Sequence, residues 1–444
     1  MKRAVLCFAV FVLGLSFAFS VPASAAADYS GYAGAPSAAD QAQAYYLYNL
    51  TRDILITQKN VDQPICPAST VKIMTGLLAC EALADRLQET VTVNAQMAVD
   101  FSGYCMGLQI GEQISAEALL YAAFCGGYND AAVVLACHIS GSVSGFLSAM
   151  NARAEVLGME HTVYQSLTGL SSGVDSTLAD VARSAKAAAE SELYMTVTSA
   201  REYTVSATNL QPARTLHNRN ALIYDNSSGG IYSNTSCRGM SSGNTEAGGW
   251  CLATVSEREG ERFLCIVLGA KEDDYRIYSY TVANQLLSME ARTFGAVTVA
   301  PKKTVYASLP VHNAPLPGTK ADLVPVSDLS VYLPLSVDPS LLTYRVRPTA
   351  PYVTAPIVTG QNAGTLAVYL NDEQVGVITL VTANGTDKNF FLSAMTSFSS
   401  YLHSRSFVAT VVIAIVLCVV YFRFFYVRKI RHVKPKSIRM RRRF

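Results

Sequence analysis

The chain opens on an unbroken apolar run, Ala4 to Val21, with Lys2 and Arg3 before it and Pro22 and Ala23-Ser24-Ala25 after it. A basic start, an apolar middle and a small-x-small end are the three parts of a secretory signal peptide, so residues 1–25 are expected to be removed on export. Residues 26–43 are rich in Ala, Ser and Gly and read as a linker. Two β-rich stretches within Tyr46 to Gln58, around Leu50-Thr51-Arg52-Asp53, predict a hairpin. From Ser69 to Ala84 the period changes, and Ile73, Leu77, Cys80 and Leu83 recur at helical spacing. Further helices are predicted at Ala116 to Ser140, Val143 to Leu157 and Leu178 to Ser191. Strands return at Cys251 to Val255 and Phe263 to Leu268, flanking a charged turn at Glu257 to Glu261, and a helix from Tyr278 to Phe294 closes the unit. Helices enclosed by two sets of strands imply an α/β (α+β) domain of mixed strand order over residues 44–296.

Past Ala300 the helical period is lost while Pro and β-branched residues rise. Thr365 to Leu370 and Val375 to Val381, joined through Asn371-Asp372, read as a hairpin in a small all-β domain over residues 300–390. A continuous apolar run then extends from Phe407 to Phe422 and resumes after Arg423. Residues 406–427 are long enough to cross a bilayer core as a helix, with Arg423 placed to snorkel. The last segment, 428–444, holds nine Lys and Arg residues and no acid. The positive-inside rule places this tail in the cytoplasm and the body outside a cell membrane crossed once. A nucleic-acid-binding arm is the competing use of such a tail, and its place directly behind a membrane span argues against it.

Composition narrows the classes. The 444 residues carry 15% charged side chains and a net charge of +2, and because the basic residues crowd the tail, the body is close to neutral. No basic face for nucleic acid is left. Of ten cysteines, Cys7 and Cys418 lie in the apolar end segments. The other eight are Cys66, Cys80, Cys105, Cys125, Cys137, Cys237, Cys251 and Cys265, and they show no CxxC or Cys/His spacing. No metal site and no cofactor are expected. Cys251 and Cys265 flank the Glu259-Gly260 turn and are candidates to face one another across a hairpin in an oxidising exterior. Buried thiols acting as small hydrophobes are the simpler reading.

The six histidines are scattered and no GxSxG elbow is present, so a Ser-His-Asp triad is not indicated. The nucleophile candidate is Ser69, in Pro67-Ala68-Ser69-Thr70-Val71-Lys72. At a helix start, positions i and i+3 share a face, so Lys72 can reach the Ser69 hydroxyl. A lysine serves as base once burial or nearby positive charge lowers its pKa.

Ser-x-x-Lys arises by chance, but its context here is specific. The run Pro67 to Gly76 resembles the first motif of the serine D-alanyl-D-alanine carboxypeptidases, the low-molecular-weight penicillin-binding proteins. Asn129-Asp130-Ala131 resembles the end of their Ser-x-Asn-Asp-Ala motif, and Gly243-Asn244-Thr245-Glu246-Ala247-Gly248 resembles the stretch built on Lys-Thr-Gly. Met106 to Glu112, His161 to Leu170 and Gly269-Ala270 follow the family's intervening segments. The resemblance covers nearly the whole mature chain. It implies a β-lactamase/transpeptidase-like catalytic domain, the small C-terminal all-β domain and one transmembrane helix. It implies that Ser69 is acylated by the D-Ala-D-Ala end of a peptidoglycan stem peptide, that Lys72 is the general base, and that Asn129 bonds substrate and Lys72. It implies that Gly243 admits the substrate, that the amides of Ser69 and Asn244 form the oxyanion hole, and that β-lactams are covalent inhibitors.

Two positions depart from the pattern. The second motif's serine falls on Gly127, with Tyr128 carrying a hydroxyl one position off. The third motif's lysine and threonine fall on Ser241 and Ser242; a serine replaces the threonine hydroxyl but not a cation. Arg219 and Arg276 are the candidates for carboxylate binding. Arg238 would face away from 241 unless a bulge resets the strand. Three outcomes remain: an active carboxypeptidase, a catalytically impaired wall-binding or scaffolding protein, or a β-lactamase. The β domain and membrane helix speak against the last.

Overall fold

The computed structural model describes residues 27–170, 176–227 and 229–426. Residues 1–25, expected to be a signal peptide, and the tail 428–444 lie outside the described residues. The chain divides into two compact units at Gly295/Ala296, with Pro334–Val337 returning to the first.

The first unit is built on a six-stranded sheet. Its order is Ala27–Asp28, Ile54–Lys59, Ala44–Asn49, Glu261–Ala270, Gly249–Arg258 and Cys237–Thr245. All neighbours are antiparallel except the first pair. The charged turn closes on two residues, Glu259 and Gly260, both at positive φ (53° and 82°), the turn geometry that matches strand twist. That leaves both flanking strands ten residues long.

The stretch expected to be a linker is a packed strap instead. Ala27 and Asp28 pair with Ile54 and Leu55, and Tyr29 is buried. Lys59 Nζ donates to the carbonyls of Ala39 and Ala42 at 2.8 and 2.9 Å. The composition of small residues concealed the aromatic that covers the sheet edge.

The helical layer surrounds Lys72–Leu83, whose Ile73, Met74, Leu77, Cys80 and Leu83 are all buried. Gly76 is required there: a Cβ would stand 2.4 Å from the Tyr194 ring. The single helix expected over 116–140 is two helical segments. Ala116–Leu120 widens into a π-turn at Tyr121–Cys125, the chain breaks at Gly126-Gly127-Tyr128, and a new helix runs Asn129–Ser140. Gly127 at φ +79° makes that break. Val143–Val156, Leu178–Ala189 and Glu192–Ser199 complete the layer, while Tyr278–Thr293 packs against the strands Glu261–Ala270 and Gly249–Arg258.

The second unit holds a six-stranded sheet of order Leu342–Pro348, Asn362–Leu370, Glu373–Thr382, Lys320–Pro325, Ala307–His312 and Val353–Thr354. Its central hairpin turns on Asn371 and Asp372, again both at positive φ. Beyond it come helices Phe390–Leu402 and Arg405–Tyr421. The stretch Arg405–Phe424 is long and apolar enough to cross a membrane, and none of it is buried. The helix before it was not predicted. Phe391, Met395, Phe398 and Leu402 form its exposed apolar stripe, and their i, i+4, i+7, i+11 spacing is the sequence signal for it.

Candidate active site

Ser69 lies on a 3-10 turn, Ala68–Val71, that runs directly into the Lys72–Leu83 helix. Ala68 is held in the left-handed region at φ 45°, a conformation that persists only where surrounding contacts enforce it. Two neighbours supply those contacts. Gly169 packs so closely that a Cβ there would meet the Ala68 carbonyl oxygen, and Ser241 Oγ donates to the Ser69 carbonyl at 2.8 Å. From the other side the strand Cys237–Thr245 passes the half-buried Ser69 hydroxyl at Gly243, where a Cβ would lie 2.4 Å from Oγ.

Lys72 is 6% exposed. Burial is the main cause that pushes its pKa down to about 7, and the nearby Arg219 guanidinium adds to the effect. Among the described residues its one hydrogen bond goes to the Gly127 carbonyl at 2.5 Å. The direct bond to the Ser69 hydroxyl expected from the motif is not among the hydrogen bonds of the described residues. Catalytic hydrogen bonds commonly tighten only when substrate is bound.

The second motif is fixed from below. The buried Asp130 carboxylate accepts the backbone N–H groups of Met106, Gly107 and Leu108 at 2.9 to 3.1 Å, tying the loop before the motif to the helix start. Asn129 is 4% exposed and its amide donates to the Ser102 carbonyl at 2.9 Å rather than to Lys72. The Tyr128 ring stacks on Tyr104 at 4.6 Å between centroids.

Of the arginines named from sequence, the structure brings one to the lysine. Arg219 lines the same small cavity as Lys72, Gly127, Ser241 and Ser242, about 10 Å³ in volume, roughly the space one water needs. A Cβ at Gly127 would stand 3.3 Å from both Cβ and Cγ of Arg219. The arginine stem therefore packs closely against the position a serine side chain would take. Its guanidinium lies 4.8 Å from the Tyr104 ring centre, within cation–π range. Arg276 lines a separate cavity of about 620 Å³ with Tyr232, Thr281 and Arg292. A bulge does fall between Arg238 and Ser241, yet Arg238 is bound to the Thr235 and Cys237 carbonyls and lies 3.6 Å from Glu257.

Sequence reasoning missed the supports of Arg219. Asn218 donates to the Thr198 and Ala200 carbonyls, both at 2.7 Å, and Asn220 donates to the Gly239 carbonyl at 2.8 Å. Both side chains are buried, and polar residues bracketing an arginine were the available signal. Ser242 is bonded to Tyr280, at 2.6 Å. The nine described cysteines are free thiols. Cys265 pairs with Thr254 and Cys251 with Gly243, so the two cysteines that flank the turn, eight residues before it and five after it, are out of register.

The sequence pattern of the family described as D-alanyl-D-alanine carboxypeptidase matches residues 33–272, and that of the penicillin-binding protein 5 C-terminal domain matches residues 294–388. The chain is 28% identical to D-alanyl-D-alanine carboxypeptidase DacC of Escherichia coli over 80% of this chain and 87% of that protein. It is 30% identical to D-alanyl-D-alanine carboxypeptidase DacF of Bacillus subtilis over 49% and 54%. Among solved structures, penicillin binding protein 6B of Escherichia coli superposes with a TM-score of 0.55 at 25% identity, covering 77% of this chain and 95% of that one. The fold is also that of the Francisella tularensis carboxypeptidase DacD, with a TM-score of 0.55 at 22% identity over 78% and 94%. With its catalytic and C-terminal domains both matched in order, the chain belongs to the serine-type D-alanyl-D-alanine carboxypeptidase family.

Proposed function

We propose that this chain is an active carboxypeptidase that removes the terminal D-alanine from peptidoglycan stem pentapeptides, and that β-lactams acylate the same serine. The observation that carries the reading is Lys72: buried one helical turn from Ser69, with a pKa lowered to about 7. In its neutral form Lys72 takes the proton of the Ser69 hydroxyl as Oγ attacks the carbonyl carbon of the penultimate D-alanine. The C–N bond breaks, the leaving amine takes up a proton, and an ester to Ser69 remains. Water then attacks that ester, releasing the shortened peptide and regenerating the hydroxyl. The amides of Ser69 and Asn244 are assigned to the developing oxyanion, where each donor contributes on the order of 3 kcal/mol. Asn129 is assigned to the substrate backbone and Gly243 to the open path beside it.

Arg219 is assigned the cationic role that Ser241 does not fill. It keeps Lys72 neutral by like charge and offers a carboxylate partner. The close packing of the Arg219 stem against Gly127 supports this reading. Arg219→Ala is expected to move the pH midpoint of acylation upward by roughly one pH unit, since removing a nearby positive charge favours the protonated lysine. A stopped-flow pH series with a chromogenic cephalosporin reads this, and an unmoved midpoint would reject the role.

A second reading is favoured by one contact. Lys72 spends its hydrogen bond on the Gly127 carbonyl, as it would in a protein that holds the wall peptide without cutting it. The test is release of free D-alanine from a stem pentapeptide by the protein and by Ser69→Ala. Release that is lost in the variant supports the enzyme. Peptide binding with no D-alanine from either supports the wall-binding scaffold. Attachment to the outer face of the membrane through residues 406–427, with the tail inside, is part of this reading; protease accessibility of the body in intact spheroplasts tests it.

A further inference from the structure

We propose that Tyr280, a residue outside the three motifs, is a positioning residue for carboxylate recognition: its hydroxyl binds Ser242 Oγ and leaves the serine proton free to point into the pocket at the C-terminal carboxylate of a bound peptide. The inference rests on the reading that a peptide lies along the strand Cys237–Thr245.

Tyr280 sits in the first turn of the helix Tyr278–Thr293 and is 2% exposed. Its hydroxyl faces two oxygens. Ser242 Oγ is at 2.6 Å and the Arg219 carbonyl oxygen is at 3.4 Å. A phenol carries one proton. When an anion occupies the pocket, the consistent arrangement is a chain in which Tyr280 donates to Ser242 and Ser242 donates to the anion. Each bond polarises the next, and no proton changes owner. Serine lacks the γ-methyl of the family's threonine, so its rotamer is less constrained by its own backbone. The tyrosine supplies the constraint from outside. Its ring is fixed between Tyr232, at 5.1 Å, and Trp250, at 6.4 Å. Burial raises its pKa, which keeps the phenol protonated as the chain requires. Both Ser242 and Arg219 line the cavity that holds Lys72. Tyr280 therefore touches the Ser242 hydroxyl that a carboxylate there would meet and the backbone of the residue that carries the guanidinium, while itself reaching no reacting atom.

The test uses binding rather than turnover, so that it does not depend on whether the chain is an active enzyme. Trp250 is the only tryptophan and lies against Tyr280, so its fluorescence reports the site. On the full-length Ser69→Ala protein in detergent, N-acetyl-L-Lys-D-Ala-D-Ala is titrated as the free acid and as its C-terminal amide. The acid is expected to bind more tightly. Adding Tyr280→Phe, which keeps the ring, should cut that preference roughly tenfold, the scale of one charge-assisted hydrogen bond, while leaving amide affinity in place. Ser242→Ala should give the same loss, and it carries the test if Tyr280→Phe does not fold. Equal weakening of acid and amide would show a purely structural role and overturn the proposal. An unchanged preference, or no binding of the acid to the Ser69→Ala protein, would overturn it as well. Failure of D-alanine release by the unmodified protein, with the acid preference intact and sensitive to Tyr280→Phe, would remove the enzyme reading and leave this one standing.

Discussion

Lys72→Met is expected to lose acylation by about 10³-fold while raising the melting temperature. The first half follows from general-base catalysis, which typically contributes 10² to 10⁴-fold. Methionine matches the lysine stem in length and leaves nothing to accept the Ser69 proton. The second half follows from burial. A lysine whose folded pKa is about 7, against an ordinary value of 10.5, binds fewer protons in the folded state than in the unfolded one between those two pH values. Stability therefore rises with pH across that window. Below pH 7 the ammonium is charged in both states and the folded protein bears the full cost of burying it. The stabilisation by Lys72→Met should accordingly be largest at or below pH 7 and fade as pH climbs toward 10.5. Acylation by the unmodified protein should run the other way along the same axis, rising through a midpoint near pH 7 as the amine becomes neutral. Thermal melts at several pH values, paired with labelling rates, check both signs. A variant that is less stable at pH 6 would show that the Gly127 carbonyl contact outweighs the desolvation.

The second large effect is steric. Gly243→Ala places a methyl 2.4 Å from Ser69 Oγ and 2.7 Å from its Cβ. The glycine does not need positive φ, so the strand accepts alanine conformationally and the conflict is confined to the nucleophile. Overpacking of this kind costs about 1–3 kcal/mol, which a domain of this size tolerates. The serine, however, must rotate or retreat, and a misplacement of about 1 Å costs on the order of 10²-fold. Labelling with fluorescent penicillin should fall by at least that factor while circular dichroism stays native. Full-rate labelling would mean that the strand moves away from Ser69 in solution.

Much of this was legible before any coordinates. Hydrophobic period placed the long helices and both hairpins, because those elements bury one face and the face is written in the residue spacing. What the period could not show was where a helix breaks for function. The run Ala116 to Ser140 is apolar throughout, and only Gly126-Gly127 marks the point where the second motif turns out of the helix. The candidates Ser69, Lys72, Asn129 and Gly243 could be named from the sequence because motifs are local. The groups proposed to stand in for the missing motif side chains were harder to see because they are not. Arg219 reaches the lysine from a segment about ninety residues beyond Gly127, held there by Asn218 and Asn220, and Tyr280 arrives from the helix after the last sheet strand. Arg238 stays away from the site, as alternation alone implies, although for another reason. The bulge that would have turned it inward exists, but Glu257 and two carbonyls hold the guanidinium outside.

The most direct test of a reactive Ser69 paired with Lys72 is the intact mass of the protein after incubation with benzylpenicillin, above and below pH 7. A gain of one drug molecule, mapped by peptide digestion to Ser69, faster above pH 7 and absent in Ser69→Ala, is the predicted result. No adduct after hours at either pH, or an adduct on another residue, would contradict it.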